Sequence, residues 1–189
     1  MERVSTTPGQ PDDDQRRGES AAAPLPCRWP ESEMGDGYHY IWVDGGWLYL
    51  ATVMDLYSRA IVGWKLDTSM TEKLAMDALR VAFANRDVQP GLIIHSDRGV
   101  QSRALKYLDL VRSKNCLPSI SRQGNFWNSA VMESFYSCLK VELIYAEQYT
   151  SIEAVRSGIF EYIEIFYNRK RRHSALGNIS PAELERRCA

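Results

Sequence analysis

Two acidic residues, Asp97 and Glu133, stand where a carboxylate could take part in chemistry. Asp97 follows the apolar run LIIH at the carboxyl end of a predicted buried strand, a common place for ligand sites in α/β sheets. Glu133 lies in a predicted helix that begins near Phe126, beside the apolar stripe of that helix. Such a helix could direct its carboxylate toward the strand end that carries Asp97, so two acids from separate elements would converge on one ligand site.

Each acid on its own also has an ordinary structural interpretation. An Asp after a strand is most often a turn residue or a helix cap, and a Glu in a helix is most often solvated surface. The sequence around the two acids is therefore more informative than either acid alone. Thirty-five residues lie between Asp97 and Glu133, and Lys140 follows Glu133 by seven positions on the same predicted helix face.

Four motifs accompany these acids in a fixed order. They are GWLYLATVMDLYSRAIVGW at 46–64, HSDRGVQ at 95–101, SRQGNFWNSAVMESF at 121–135 and FYNRKRRHSALGNISPAEL at 166–184. With these motifs the chain resembles the DDE transposases of bacterial insertion-sequence family three, whose catalytic core is related to retroviral integrase. The resemblance covers roughly residues 40–187 and is specific, because several independent motifs match in the right order.

The resemblance implies a ribonuclease H-like catalytic core in which two Asp and one Glu hold Mg²⁺ or Mn²⁺. It also implies DNA strand cleavage and strand transfer, in which water frees a 3′-hydroxyl that then attacks another strand. Carboxylates suit this chemistry because hard divalent ions prefer oxygen ligands and stabilise the attacking and leaving oxygens. By the resemblance, Asp97 and Glu133 are the second and third acids.

The first acid of the set is displaced in this chain. The family places it in a stretch such as D-I-T-Y-I, and alignment on the Tyr40-Ile41-Trp42 segment puts Gly37 at that position. Asp36, the nearest acid, is one residue early, and a one-residue slip turns a side chain to the opposite face unless a bulge at Gly37 restores its direction. Asp36 is therefore the candidate first catalytic and metal-binding acid, with weakened metal binding expected.

Two further hypotheses follow from this displacement. One missing base near codons 39–40 would make the residues before Tyr40 an out-of-frame translation, because the shifted frame from Trp29 to Tyr40 permits G-P-N-R-K-W-V-T-D-I-T. Alternatively, the chain is a catalytically inactive transposase remnant that binds DNA or intact transposase without doing chemistry. A free-standing ribonuclease H-like nuclease is disfavoured by Lys140 and the motif RRHSALG.

A dense group of basic residues follows the last long predicted helix. The net charge of the whole chain is −1, so any contact with DNA must come from local basic patches. A solvated helix end is the alternative interpretation of this group. The resemblance implies insertion-sequence ends and target DNA as partners, with a homo-oligomer or a helix-turn-helix partner reading frame. The predicted DNA-binding residues are Lys140, Arg169, Lys170, Arg171, Arg172 and His173.

The elements that must position these residues are predicted from periodicity. Three β-rich runs predict an antiparallel meander, and a capping box of Ser69 and Glu72 then opens a helix. The last helix begins with a capping box of Thr150 and Glu153. Its predicted buried stripe is Ile152, Val155, Ile159, Ile163 and Phe166. The predicted strands are 38–43, 46–54, 58–66, 91–97 and 117–121, and the later helices are 102–115, 126–146 and 151–168.

This order predicts an α/β domain of ribonuclease H-like fold, with a mixed five-stranded sheet (three antiparallel strands first) flanked by helices. Residues 1–34 hold five of the eight prolines, so we predict a disordered or out-of-frame segment at 1–36 and an integrase-type core at 37–187. The four cysteines lack metal-ligand spacing, and no run of 18 apolar residues occurs. With no signal peptide visible, a cytoplasmic, nucleoid-associated location is expected.

Overall fold

The computed structural model describes five stretches of the chain. At residues 120 and 126–129 it describes the backbone only. The stretches are 33–43, 46–96, 104–120, 126–147 and 149–189. Asp97 and residues 1–32 of the predicted N-terminal segment lie outside the described residues.

A five-stranded sheet forms the centre of the described part. Its strands are β1 (Glu33–Val43), β2 (Gly46–Asp55), β3 (Ile61–Asp67), β4 (Ile93–Ser96) and β5 (Leu117–Ile120). β1, β2 and β3 make the predicted antiparallel meander, whereas β4 pairs in parallel with β1 and with β5. The resulting order is β3-β2-β1-β4-β5, which confirms the prediction of a mixed five-stranded sheet.

Helices cover both faces of this sheet. They are α1 (Glu72–Asn85), α2 (Leu105–Ser113), α3 (Phe126–Leu139), α4 (Ile152–Phe160) and α5 (Pro181–Cys188). α3 and α4 continue directly into the π-helical segments π1 (Lys140–Ile144) and π2 (Glu161–Tyr167). Met34 of β1 packs with α1 and α2, whereas Ile41 and Val43 pack with α3, α4 and π2. Alternate residues of β1 therefore face different helical layers.

Two helix starts differ from the predicted capping boxes. Thr71, not Ser69, caps α1, and its hydroxyl accepts a hydrogen bond from the N–H three residues on. Ser151, not Thr150, caps α4 in the same way. Each helix begins directly after the hydroxyl residue that reaches its first turn, and the earlier hydroxyl of each pair was the wrong choice.

The π-helical segments account for one error in the predicted buried stripe. Phe166 is 40% exposed, whereas Tyr167 is buried. A π-helix bonds residue i to i+5, so the buried positions after Phe160 no longer follow the α-helical period that predicted them. Ile152 is also 38% exposed, because it is the first residue of α4 and has no preceding turn to cover it.

Candidate active site and nucleic-acid interface

Gly37 is a residue of β1 that faces the helix of Glu133. A Cβ placed on Gly37 would lie 3.0 Å from Met132 Cε and 3.0 Å from Tyr136 Cε2, both in α3. Glu133 follows Met132 directly and is exposed. The position that aligns with the family's first acid therefore lies against α3, where this chain has no side chain.

Asp36 points to the other side of the sheet. Its Oδ2 accepts a hydrogen bond of 2.7 Å from Tyr107 Oη, and Tyr107 is a buried residue of α2. Ser96 Oγ donates to the same Tyr107 oxygen at 3.3 Å. Burial, followed by the negative charge of Asp36, raises the pKa of Tyr107 well above its usual value, so the phenol keeps the proton that it donates. Asp36 thus ties β1 to the α2 layer.

The register of β1 leaves Asp36 in this orientation. Every residue of β1 from 34 to 43 pairs one-to-one with a residue of β2, and Gly37 pairs with Thr52. The bulge at Gly37 that would turn Asp36 back toward α3 is therefore not part of the β1–β2 pairing. Simple alternation along the strand decides the direction of both side chains.

The carboxyl end of β4 lies beside the same part of β1. His95 of β4 pairs in parallel with Gly35, and Ser96 is the last residue of the strand. Asp97 follows in the chain and lies outside the described residues, so its assignment as second acid stays a prediction.

His39 and Lys140 also belong to the α3 side. His39 is buried, and its ring centroid lies 5.2 Å from that of Tyr136. Burial and then the positive charge of Lys140 lower the pKa of His39 from 6.5 to about 4, so the imidazole is neutral at pH 7. Lys140, the first residue of π1, thus acts electrostatically on the face of β1 that also contains Gly37.

The predicted basic group divides between surface and interior. Arg169, Lys170 and Arg172 are exposed, so their charges can reach a phosphate. The guanidinium of Arg171 instead donates to both carboxylate oxygens of Glu142, with N···O distances from 2.8 to 3.1 Å. Arg171 is therefore already bound within the protein.

His173 is held inside the C-terminal segment. Its ring meets the Tyr167 ring edge-on with centroids 4.9 Å apart, and its backbone N–H donates to the Ile179 carbonyl at 3.0 Å. Burial, followed by the positive charges of Arg171 and Arg59, lowers the pKa of His173 to about 4. Its imidazole is therefore neutral at pH 7.

Known proteins are similar to this chain in sequence and in fold. The family described as Integrase core domain matches residues 34–126, and a second family of the same description matches 133–187. The transposase InsF for insertion sequence IS3A of Escherichia coli (strain K12) is 42% identical over 156 residues, 82% of this chain and 54% of that protein. The transposase for insertion sequence element IS904 of Lactococcus lactis subsp. lactis (strain IL1403) is 42% identical over 147 residues, 78% of this chain and 58% of that protein. This chain belongs to the integrase core family, among the insertion-sequence-three transposases.

This integrase core spans about half the length of the curated relatives it matches. The catalytic core domain of BIV integrase matches it with a TM-score of 0.62 at 17% identity, covering 82% of this chain and 93% of that one. The HTLV-2 integrase catalytic core domain in complex with magnesium matches with a TM-score of 0.58 at 12% identity, covering 82% and 96%. These matches confirm the predicted ribonuclease H-like fold. Within the described stretches, no helix has the length and apolar character needed to cross a membrane.

The described residues of this integrase core do not assemble a complete set of metal ligands. Among them, no group of three or more His, Cys, Asp or Glu side chains could hold a metal ion. Asp36 accepts from Tyr107 on the α2 side, so it does not fit as a ligand beside Glu133 on the α3 side. Gly37 lies on the α3 side but has no ligand atom in its side chain.

Sequence reasoning missed three residues that hold this integrase core together, namely Tyr107, Glu142 and Asn168. The Asn168 side chain accepts from the Ile61 N–H and donates to the Ile61 carbonyl, both at 2.9 Å, and so extends the start of β3. Its place inside the motif FYNRKRRH was the available signal. For Glu142, the signal was its position two residues after Lys140.

The integrase core is expected to lose stability through His39 as the pH falls from 6.5 to 4. Because its pKa is lowered in the folded protein, the unfolded chain binds the proton first in this window. The unfolding free energy then decreases by up to ~1.4 kcal/mol per pH unit, while the contribution is fully present above pH 6.5. Urea titrations at several pH values in this window give the unfolding free energy as a function of pH. This free energy should fall less steeply with decreasing pH in His39→Gln than in the unmodified chain, and an equal pH dependence would contradict the assignment.

Proposed function

We propose that this chain is the catalytic core of a transposase, which cleaves a DNA strand and transfers it to another strand. The observation that carries the proposal is the 42% identity to insertion-sequence transposases over 82% of the chain. The geometry agrees with it, because α3, which holds Glu133, packs over β1 at Gly37, next to the end of β4.

In this proposal Asp97 and Glu133 are the catalytic acids and the metal ligands. The proposed cofactor is Mg²⁺ or Mn²⁺, which when bound supplies positive charge to the attacking and leaving oxygens of a phosphodiester substitution. The role of the protein is to hold carboxylates from separate elements at one end of the sheet and to leave coordination positions open for water and phosphate. The hydrogen bond from Tyr107 favours a structural role for Asp36, the predicted first acid.

A second candidate function, a catalytically inactive remnant, is favoured by Gly37. This position faces α3 and lacks a carboxylate, so two acids would have to do the work of three. Such a chain would still fold, since neither of the two buried hydrophobic clusters includes residue 37. It would then bind DNA, or intact transposase, without doing chemistry.

The proposed partner is DNA, contacted by Lys140 and by the exposed Arg169, Lys170 and Arg172. We also propose assembly with further copies of the chain or with a helix-turn-helix partner reading frame, and a nucleoid location. The HTLV-2 integrase core has been solved in dimeric and trimeric forms. An assembly of this kind would bring several basic surfaces to the same DNA.

The proposed domain division is an N-terminal segment at 1–36 and the core at 37–187. β1 begins at Glu33, so residues 33–36 pair with neighbouring strands. The frameshift hypothesis is tested by the nucleotide sequence of the gene. A shifted frame that does not encode Asp at the boundary of Gly37 and Tyr38 would overturn it.

A cleavage and strand-transfer assay on an element-end duplex with Mn²⁺ separates the two candidate functions. Activity that disappears in both Asp97→Asn and Glu133→Gln, with unchanged circular dichroism, is the result expected of an enzyme. Equal product from the chain and both variants would contradict the assignment of these acids. Binding of the duplex with no product from any of them would establish the remnant.

A further inference from the structure

The guanidinium of Arg171 and the carboxylate of Glu142 form a two-pronged ion pair. Arg171 Nε lies 3.1 Å and 3.0 Å from the two carboxylate oxygens, and Nη2 lies 2.8 Å from Oε1. Their side chains are 21% and 32% exposed, so water has limited access to the pair. A planar guanidinium bound in this way has a fixed orientation, unlike a surface ion pair between long mobile side chains.

Other groups complete the surroundings of this pair. Tyr162 Oη donates to Glu142 Oε2 at 2.7 Å, and Arg171 Nη2 donates to Cys138 Sγ at 3.0 Å. The guanidinium carbon lies 5.9 Å from the centroid of the Tyr167 ring. Burial alone would raise the pKa of Glu142, but the hydrogen bonds from Arg171 and Tyr162 lower it, so the carboxylate stays ionised at pH 7.

These contacts join parts of the chain that carry the predicted DNA-binding residues. Glu142 lies in π1, two residues after Lys140, and Tyr162 lies in π2. Arg171 lies in the basic segment that follows π2. Asn168 holds the start of that segment on β3 through its two hydrogen bonds to Ile61. The ion pair therefore fixes π1 against a segment that is itself attached to the sheet.

We infer that Arg171 is a positioning residue, which with Glu142 and Tyr162 holds Lys140 at a fixed place relative to the exposed Arg169, Lys170 and Arg172 so that all four can contact the same DNA. The inference rests on the proposed function insofar as the ligand is DNA. It differs from the sequence-based assignment of Arg171 as a phosphate contact. To bind a phosphate with the same donors, Arg171 would have to give up its bonds to Glu142, and that carboxylate would lose its cation.

The salt dependence of DNA binding and the Tm, read together, distinguish a positioning arginine from one that contacts phosphate. Arg172→Gln is the matched variant, since it removes an exposed guanidinium one residue away. With a 30-base-pair duplex as the probe, Arg172→Gln should reduce the slope of log K against log salt by about 0.9. Arg171→Gln should reduce the slope by a similar amount, because Lys140 is no longer held in place, and should also lower the Tm by about 3 to 8 °C, whereas Arg172→Gln should leave the Tm unchanged. A reduced slope with an unchanged Tm for Arg171→Gln would overturn the inference.

Coupling to Lys140 tests positioning rather than mere stability. Lys140→Gln should weaken duplex binding about tenfold in the unmodified chain. In an Arg171→Gln background that is still folded by circular dichroism, the same substitution should weaken binding less than about twofold, because Lys140 is no longer held in place. An equal loss in both backgrounds would overturn the inference.

A double-mutant cycle on Glu142 and Arg171, measured by Tm, separates this inference from the proposed function. Glu142→Gln and Arg171→Gln should each lower the Tm, and the double variant should melt within about 2 °C of the less stable single variant. Additive shifts would overturn the ion-pair role whether or not the chain binds DNA. Absence of duplex binding by the unmodified chain would overturn the proposed DNA partner. The Tm measurements do not require DNA, so they would still test the ion pair.

Discussion

Gly37→Asp is expected to raise Mn²⁺-dependent cleavage of an element-end duplex by about 100-fold over the unmodified chain. Gly37 faces α3, so a carboxylate placed there lies on the same side of β1 as the helix of Glu133. The new Cβ would lie 3.0 Å from Met132 Cε and Tyr136 Cε2, which is tight. The flexible Met132 side chain can move by the few tenths of an ångström required, and the Tyr136 ring must shift by a similar amount, so circular dichroism should accompany the assay to establish that the variant is folded.

Two further variants decide whether the carboxylate is responsible. Gly37→Ala adds the same Cβ without an acid and should leave cleavage at the level of the unmodified chain. Asp36→Asn should not reduce cleavage, because an amide oxygen can still accept the hydrogen bond from Tyr107. Calorimetric titration with Mn²⁺ gives a reading that is independent of turnover. Equal behaviour of Gly37→Asp and Gly37→Ala, or loss of activity in Asp36→Asn, would contradict the geometry described here.

Gly63→Ala is expected to lower the unfolding free energy by about 3 kcal/mol. A Cβ on Gly63 of β3 would overlap the Ala78 carbonyl oxygen and would lie 2.5 Å from the Ala82 nitrogen. Both atoms belong to the backbone of α1, so a side-chain rotation cannot relieve the contact and the whole helix must move away from the sheet. Urea unfolding, or a decrease in Tm of roughly 6 to 12 °C, measures the effect.

Gly35→Ala is the matched control for this prediction. Gly35 is also a strand glycine, in β1, but its new Cβ would meet Leu56 Cδ2 at 3.2 Å and Met132 Cγ at 3.6 Å. These are side-chain atoms that can adjust, so the loss should stay below about 1 kcal/mol. Similar losses for Gly35→Ala and Gly63→Ala would show that the packing of α1 on β3 is looser than described.

The fold followed from the sequence because its local signals agree with one another. The alternation of β1 also indicated that Asp36 would face away from the side occupied by Gly37, and its hydrogen bond to Tyr107 has that direction. Helix starts were less certain, since Ser69 and Thr71 are both good caps and the choice depends on where packing begins the helix. Periodicity could not reveal where α4 widens into π2.

The site was only partly accessible to sequence reasoning. Motifs single out Asp97 and Glu133 as candidates, because chemistry of this kind restricts residue type and order. The roles of basic residues depend on tertiary contacts instead. Arg171 and Arg172 are neighbours of the same charge, yet Arg171 meets Glu142 from 29 positions earlier in the chain, whereas Arg172 is exposed. No pattern within the basic segment separates these two arginines.

Anomalous diffraction from a Mn²⁺-soaked crystal of the Gly37→Asp variant tests the central claim most directly. We expect a manganese peak bound by the carboxylates of Asp97, Glu133 and the new aspartate, with Asp36 still accepting from Tyr107 on the other side of β1. Manganese bound to Asp36, or carboxylates of Asp97 and Glu133 on opposite sides of the sheet, would contradict the account.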